Sequence, residues 1–414
     1  MLDIKYIREH AELIKQNNIN RGVEVDLERL FALDSDRRAH ISQIEELRAK
    51  RNLSSRSKPS DVEIAEMKKT GDLISQLEKE LDSIGNDYVP LLKSVPNLTH
   101  PDAPIGGEND FKVIDTAGGE PKFKFPAKDH EELMLSLDLI DFERAAKTTA
   151  AKFFFAKNDL VVLNNALIRY GIDILRKHGF TVMETPDIVN NQILEGVGFS
   201  PRGPESNTYM LADTDLSLIA TAEITLGGYH ADEIIDLSKG PLKYAGISHC
   251  FRKEAGAYGK ASKGIYRVHQ FTKLEMFVYC KPDESENIHK QLLDIEREIV
   301  DGLQIPYRVI DTASRDLGAP AYRKYDIEAW MVMNNGYGEI TSTSNCTDYQ
   351  ARRLNIRYRK ENGETEYTHT LNGTAVVTSR FPVAIFENFQ KEDGSIEIPK
   401  ALRPYMDGQK KIGK

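Results

Sequence analysis

Residues 246–279 read GISHCFRKEAGAYGKASKGIYRVHQFTKLEMFVY and carry charge where a plain hairpin would not need it. Two antiparallel strands joined by a long, glycine-punctuated loop are expected. Side chains alternate along a strand, so Arg252 and Glu254 project from one face and can grip one ligand. Across residues 255–264, Gly256, Gly259 and Gly264 permit unusual backbone angles. With positive charge from Lys253, Lys260 and Lys263, that loop suits a polyphosphate. On the returning strand Phe271, Lys273 and Glu275 share one parity and one face, which would place an aromatic ring and an acid beside Arg252. A solvated amphipathic hairpin satisfies the same spacing, so the stretch needs support from the rest of the chain.

Three further segments offer chemistry. Leu218 to Glu223 is an apolar approach to Thr221 and Glu223, although Thr221 would equally serve as the N-cap of a following helix. Glu339 precedes a run of hydroxyls, Thr341, Ser342, Thr343 and Ser344, and carboxylate with hydroxyl oxygens is the hard donor set that magnesium prefers. Residues 371–388 read as a strand running into a helix, with Pro382 in the first turn, where proline is tolerated. Arg380 then sits at the junction, facing whatever lies above the sheet.

These residues need a scaffold, and 414 residues are enough for two domains with a substantial core. The mixture of 40% hydrophobic and 29% charged residues is ordinary for a soluble globular chain. No window offers the run of about 18 apolar residues that a membrane span requires. The first residues, MLDIKYIREH, place charges where a signal peptide needs its apolar core, so a cytoplasmic location is expected. A formal charge of −9 argues against blanket nucleic-acid binding but leaves room for a local basic patch. Cys250, Cys280 and Cys346 lie far apart without a CxxC pair, so neither a disulfide framework nor a zinc site is expected.

The N-terminal part is helical by its periodicity. Ile64, Met67, Ile74, Leu77, Leu81, Ile84, Tyr88 and Leu91 form a heptad seam, and Leu27, Leu30, Leu33, Ile41, Ile44 and Leu47 a looser stripe upstream. Joined by a short polar turn, the two helices should fold back as an antiparallel coiled-coil arm. Arg48, Lys50, Arg51, Arg56 and Lys58 make its tip basic without an acid among them, which suits phosphate backbone. A solvated hairpin for protein contacts would carry the same pattern. Three prolines and two glycines across residues 95–107 mark the boundary, dividing the chain into 1–104 and 105–414. Beyond it strands and helices mix without strict alternation, neither GxGxxG nor GxxxxGK[ST] occurs, and the expected class is α+β.

Taken in order, these residues resemble the three signature motifs of the class II aminoacyl-tRNA synthetases, and most closely the seryl-tRNA synthetase family. FRKEAGA and RVHQFTKLE are near that family's FRSEAGA and RVHQFDKVE. LNGT to Arg380, VAIFENFQKEDGSIEIPKALRPYM, Thr221-Ala222-Glu223 and EITS from Glu339 also match, as does the N-terminus through VPNLTHPDAP. The resemblance implies a mainly antiparallel sheet flanked by helices, a homodimer, ATP and magnesium, and ligation of L-serine to serine tRNA, with selenocysteine tRNA as a further acceptor. It implies that Thr221 and Glu223 hold the serine ammonium side, with Glu275 and Thr374 around its hydroxyl. Arg252 would bridge the serine carboxylate and the ATP α-phosphate. Glu254 and the backbone near Val268 would read adenine, stacked on Phe271 beneath Arg380, and Glu339 and Ser342 would meet magnesium. The arm would embrace the long variable arm of the tRNA. The sequence departs from the family where GKASKG replaces GRDTRG, where Thr374 replaces a frequent serine, and where Trp330-Met331-Val332 replaces WMP. Two alternatives share the fold: a paralogue that delivers an activated amino acid to a non-tRNA acceptor, and a catalytically silent coiled-coil regulator.

Overall fold

A computed structural model describes residues 1–54, 60–199, 207–254 and 263–413. The chain divides into two compact units, Met1–Leu98 and Thr99–Lys414. Residues 99–104, which the sequence groups with the arm, hydrogen-bond within the second unit instead. The His100 N–H donates to the Tyr322 carbonyl at 2.8 Å, and the Ser314 N–H to that of Pro104 at 2.9 Å.

In the first unit, helices α1 (Leu27–Ser54) and α2 (Asp61–Ser94) have 28 and 34 residues. They run antiparallel, because ion pairs join Arg29 to Asp87, His40 to Glu80 and Arg48 to Glu78, one partner ascending as the other descends. Between these polar rims lie apolar layers: Leu30 with Tyr88 and Leu92 at the base, and Ile44 with Ile74 and Leu77 further out. The heptad seam is therefore the contact surface over most of its length. It stops being buried towards the far end, where Ile64 is 52% exposed.

The second unit is built on an eight-stranded sheet. Its strands in chain order are β1 (Lys112–Ala117), β2 (Thr181–Glu184), β3 (Leu242–Phe251), β4 (Gln270–Cys280), β5 (Tyr307–Asp311), β6 (Arg323–Met331), β7 (Gly336–Asn345) and β8 (His369–Val377). The spatial order is β1-β5-β6-β7-β8-β4-β3-β2, antiparallel throughout except for β2 beside β3. β4 is central and buried from Lys273 to Cys280, and its second half is an unbroken apolar run, as expected of a strand covered on both faces.

Helices α3 (His130–Ser136), α4 (Asp159–Lys177), α5 (Ala222–Gly228), α6 (Ser285–Leu303) and α7 (Phe381–Phe389) surround this sheet. α4 and α6 cover the face bearing Leu274, Met276 and Val376. Gly171 lets α4 come close: a Cβ there would meet Leu274 Cδ2 and Val376 Cγ2 at 2.9 Å. With one face sealed by helices, the polar parity of β4 is left to the other. Among the described residues no helix is long and apolar enough to cross a membrane.

Ile74 fills the middle layer of the arm and is 4% exposed. Ile74→Ala should cost the arm about 2–4 kcal/mol through lost burial and a residual cavity. Amide hydrogen exchange should then accelerate across α1 and α2 while the sheet's protection is unchanged, and unaltered exchange in both helices would contradict this packing.

Candidate active site

Thr221, Glu223, Arg252, Glu254, Val268, Phe271, Glu275, Glu339, Ser342, Thr374 and Arg380 all line one cavity of about 380 Å³ above the polar face of the sheet. The expected serine and ATP residues are thus brought together. Of the basic set at the arm tip, Lys50 and Arg51 are exposed and Arg48 pairs with Glu78 at 2.7 Å. Arg56 and Lys58 lie outside the described residues, as does most of the loop after Glu254.

The cavity floor is polar and built from buried side chains. Lys273 Nζ and Glu275 Oε2, two positions apart on β4, stand 2.5 Å apart and are 6% and 2% exposed. Burial raises the Glu275 pKa against the pull of the adjacent ammonium. Thr374, opposite Glu275 on β8, reaches the same carboxylate oxygen at 3.5 Å. Glu223 stands in the first turn of α5, capped by the Thr221 hydroxyl, which accepts the Glu223 N–H at 3.2 Å. Thr221 is thus both N-cap and cavity wall. Gln350 Nε2 and Asn372 Nδ2 donate to Glu223 Oε1 at 2.8 and 3.1 Å. Burial, reinforced by the Glu275 charge, nevertheless pushes the Glu223 pKa up to about 7.

The other end of the cavity is arginine-rich. Arg380, the residue before α7, donates to Glu339 Oε1 at 2.7 Å, and its guanidinium lies 5.3 Å from the Tyr266 ring centroid. Burial works to raise the Glu339 pKa, but the charges of Arg380 and Lys324 outweigh it and hold it well below the usual carboxylate range. Arg252 stacks over Phe271 at 5.2 Å and donates to the Ala220 carbonyl at 3.3 Å. The ring expected beneath adenine is therefore faced by Arg252 in this structure, while Arg380 faces Tyr266.

Two details differ from the strand pattern read in the sequence. β3 ends at Phe251, so Arg252 and Glu254 follow the strand; Glu254 has φ of +50°, a left-handed conformation that breaks strand geometry. Both still reach the cavity, and Glu254 pairs with Arg267 at 3.5 Å. Second, Glu339 and Ser342 have opposite parity and would face opposite sides of a regular strand. A bulge where Ile327/Glu328 of β6 oppose Thr341/Glu339 of β7 inserts the extra residue Ile340 and brings both to the cavity. A second bulge, between Thr374 and Val376, lets Thr374 face the site while Val376 packs against Gly171 of α4.

The sequence reading missed several groups. Asn372 shares parity with Thr374 and could have been inferred from it; Gln350, distant in sequence, gave no signal. Asp326, paired in register with Ser342, is buried with an Oδ1 that has no hydrogen-bond partner, and burial raises its pKa against Lys324, 3.3 Å away. Among the described residues no cluster of three or more His, Cys, Asp or Glu could hold a metal. The oxygens of Glu339 and Ser342, beside the Asp326 Oδ1 that lacks a hydrogen bond, are nonetheless a donor set that fits magnesium, whose shell is usually completed by phosphate oxygens and water.

An antiparallel sheet whose polar face gathers these arginines and carboxylates is the core of a class II aminoacyl-tRNA synthetase, and the model described as tRNA synthetase class II core domain (G, H, P, S and T) matches residues 209–389. The Seryl-tRNA synthetase N-terminal domain matches residues 1–99. A serine–tRNA ligase of Treponema denticola is 52% identical over 415 residues, covering 98% of each chain. Among solved structures, the seryl-tRNA synthetase of Pyrococcus horikoshii complexed with ATP is 41% identical, with a TM-score of 0.90 over 100% of this chain and 99% of that one. The cytoplasmic serine–tRNA ligase of Naegleria fowleri in complex with AMP is 31% identical, with a TM-score of 0.86 over 100% and 98%. The chain belongs to the seryl-tRNA synthetase family, and it is an aminoacyl-tRNA ligase.

The raised Glu223 pKa has a consequence for stability. A carboxyl whose pKa is higher folded than unfolded contributes stability that is fully present below about pH 4.5 and lost as pH rises through about 7. Across that window the wild type should lose on the order of 3 kcal/mol relative to Glu223→Gln, which keeps an acceptor for Gln350 and Asn372 but cannot ionise. Melting temperatures of the two proteins as a function of pH check this, and a constant difference would contradict it.

Proposed function

We propose that this cavity activates L-serine with ATP and that the resulting seryl-adenylate is transferred to the 3′ end of a serine tRNA. The observation that carries the assignment is the division of the site into a carboxylate end, Glu223 with Glu275, and an arginine end, Arg252 with Arg380. Serine needs both: its ammonium takes Glu223 and Thr221, drawing Glu223 to its ionised form, and its hydroxyl takes Glu275 and Thr374. Its carboxylate then points towards Arg252.

The carboxylate oxygen attacks the α-phosphorus in line, forming the mixed anhydride as the bond to pyrophosphate breaks. No protein nucleophile is needed; catalysis is positioning and charge stabilisation, with Arg252 bidentate to carboxylate and α-phosphate oxygens. Adenine stacks on Phe271, its edge read by Glu254 and the backbone at Val268, with Arg380 closing over it. Occupation of the site therefore requires Arg252 to leave the face of the Phe271 ring. Glu339 and Ser342 would hold magnesium, with Asp326 beside them, and the ion would neutralise phosphate charge. The 3′-terminal hydroxyl of the tRNA next attacks the carbonyl of the adenylate and AMP leaves.

Residues 1–98 form the tRNA-binding arm and 99–414 the aminoacylation domain. Arg48, Lys50, Arg51, Arg56 and Lys58 meet the phosphates of the long variable arm of serine tRNA, a recognition by shape that selenocysteine tRNA would share. The protein works in the cytoplasm as a homodimer, supported by exposed Phe155, Val161 and Val162 at and near the start of α4.

The test is pyrophosphate exchange into ATP across the amino acids. Exchange should depend on serine and fall by on the order of a hundredfold in Arg252→Gln, as expected when a charge-stabilising donor is lost; no serine-dependent exchange by folded wild-type protein would refute the assignment. Deleting residues 48–58 should spare exchange but lower tRNA charging by on the order of tenfold, since phosphate contacts dominate such affinity. Equal charging by the truncated protein would remove the arm from tRNA recognition.

A further inference from the structure

Away from the substrate residues, a fully buried histidine and glutamate face each other: His130 Nδ1 lies 2.7 Å from Glu387 Oε1, and both side chains are inaccessible to solvent. They join distant parts of the chain, since His130 opens α3 and Glu387 sits on α7, the helix that follows Arg380. The Glu387 carboxylate also accepts the His130 N–H at 3.1 Å and the Met333 N–H at 3.0 Å. Facing this acceptor, Nδ1 carries the imidazole proton and Nε2 is an acceptor. Nε2 takes the Ile265 N–H at 3.2 Å.

The neighbours of His130 hold the same short segment. Glu131 Oε2 accepts the Gly264 N–H at 2.6 Å, and Asp129 pairs with Lys263. Gly264 has φ of +62°, and a Cβ there would come within 2.0 Å of His130 Nε2, so the backbone lies directly against the imidazole. The residues that follow line the cavity: Tyr266, under the Arg380 guanidinium and bonded through its hydroxyl to the Glu339 carbonyl at 2.8 Å, then Arg267 and Val268.

We propose that His130 and Glu387 form a positioning latch that ties the segment 263–268 to α7, so that Tyr266, Arg267 and Val268 keep a fixed place relative to Arg380 for ATP binding. Neither residue touches substrate. The latch rests on the reading of the cavity as the ATP site, and on one helix carrying both Arg380 at its start and Glu387 two turns later. Serine contacts, set by the sheet floor and α5, do not depend on it.

Asparagine and glutamine separate the two halves of the imidazole, because the Asn amide nitrogen replaces Nδ1 and the Gln amide oxygen replaces Nε2. His130→Asn keeps the bond to Glu387 and loses the acceptor for Ile265. At a temperature where it is fully folded, its KM for ATP in serine-dependent exchange should rise about tenfold, as for a lost buried hydrogen bond, with the KM for serine within about twofold of wild type. His130→Gln should recover part of the ATP affinity. Amide hydrogen exchange of residues 263–268, which does not depend on activity, should be slow in the wild type and accelerate at least about tenfold in His130→Asn, with α4 and α6 unchanged. If His130→Asn does not fold, Glu131→Ala, which removes the acceptor of the Gly264 N–H, should give a smaller rise in both readouts. Wild-type protein without serine-dependent exchange would overturn the ATP-site reading, whereas the hydrogen exchange would still decide whether the segment is latched. Unchanged exchange of residues 263–268, or an ATP KM unmoved in a folded variant, would overturn the latch.

Discussion

The site depends on holding charge out of water on the floor of a sheet. Lys273 and Glu275 are almost wholly buried and lie on an interior strand, so each requires the other: removing one partner of such a pair strands an uncompensated charge at a cost of roughly 3–5 kcal/mol. Everything around them serves that constraint. α4 and α6 seal the opposite face of β4, so the polar parity of the strand has one exit. Thr374, made to face the site by a bulge in β8, adds a hydroxyl to the carboxylate, and Glu223 completes the acidic corner under the donors of Gln350 and Asn372. Such a floor is a poor stabiliser and a good ligand template, because its geometry is already fixed when a small polar molecule arrives.

The charged side chains of the cavity lie against partners within the chain. Arg380 is held by Glu339, Arg252 by the Phe271 face and the Ala220 carbonyl, and Glu254 by Arg267. On the proposed reading, binding exchanges these partners within a preformed frame. This arrangement favours a ligand that carries both signs, since a carboxylate or phosphate releases an arginine at the same time as an ammonium takes the acid. It also gives a role to the residues that hold the frame, among them the buried pair between α3 and α7.

Much of this could be read from the sequence because a strand alternates. The shared face of Phe271, Lys273 and Glu275, the position of Arg380 at a strand-to-helix junction and the helical arm all follow from period two or period seven. What resisted reading is where the period breaks. Glu339 and Ser342 reach the same cavity only because a bulge shifts parity between them, and Glu254 reaches it through a left-handed backbone rather than along a strand. Contacts between distant segments were equally silent: Gln350 on Glu223, Asp326 beside Ser342, and His130 against Glu387 each join elements that no local pattern connects. The seam of the arm was legible over the buried layers but overstated near Ile64, where heptad spacing continues and burial does not.

The most direct test of the buried floor is calorimetric binding of two non-hydrolysable sulfamoyl adenosines, one carrying serine and the other alanine. They differ by a single hydroxyl, which the proposed site meets with Glu275 and Thr374. A site built to hydrogen-bond that hydroxyl should bind the serine compound at least about a hundredfold more tightly, because the alanine compound leaves buried polar groups unpaired. Equal affinity for the two would contradict the account, since the carboxylate on the floor would then not be reading the substrate.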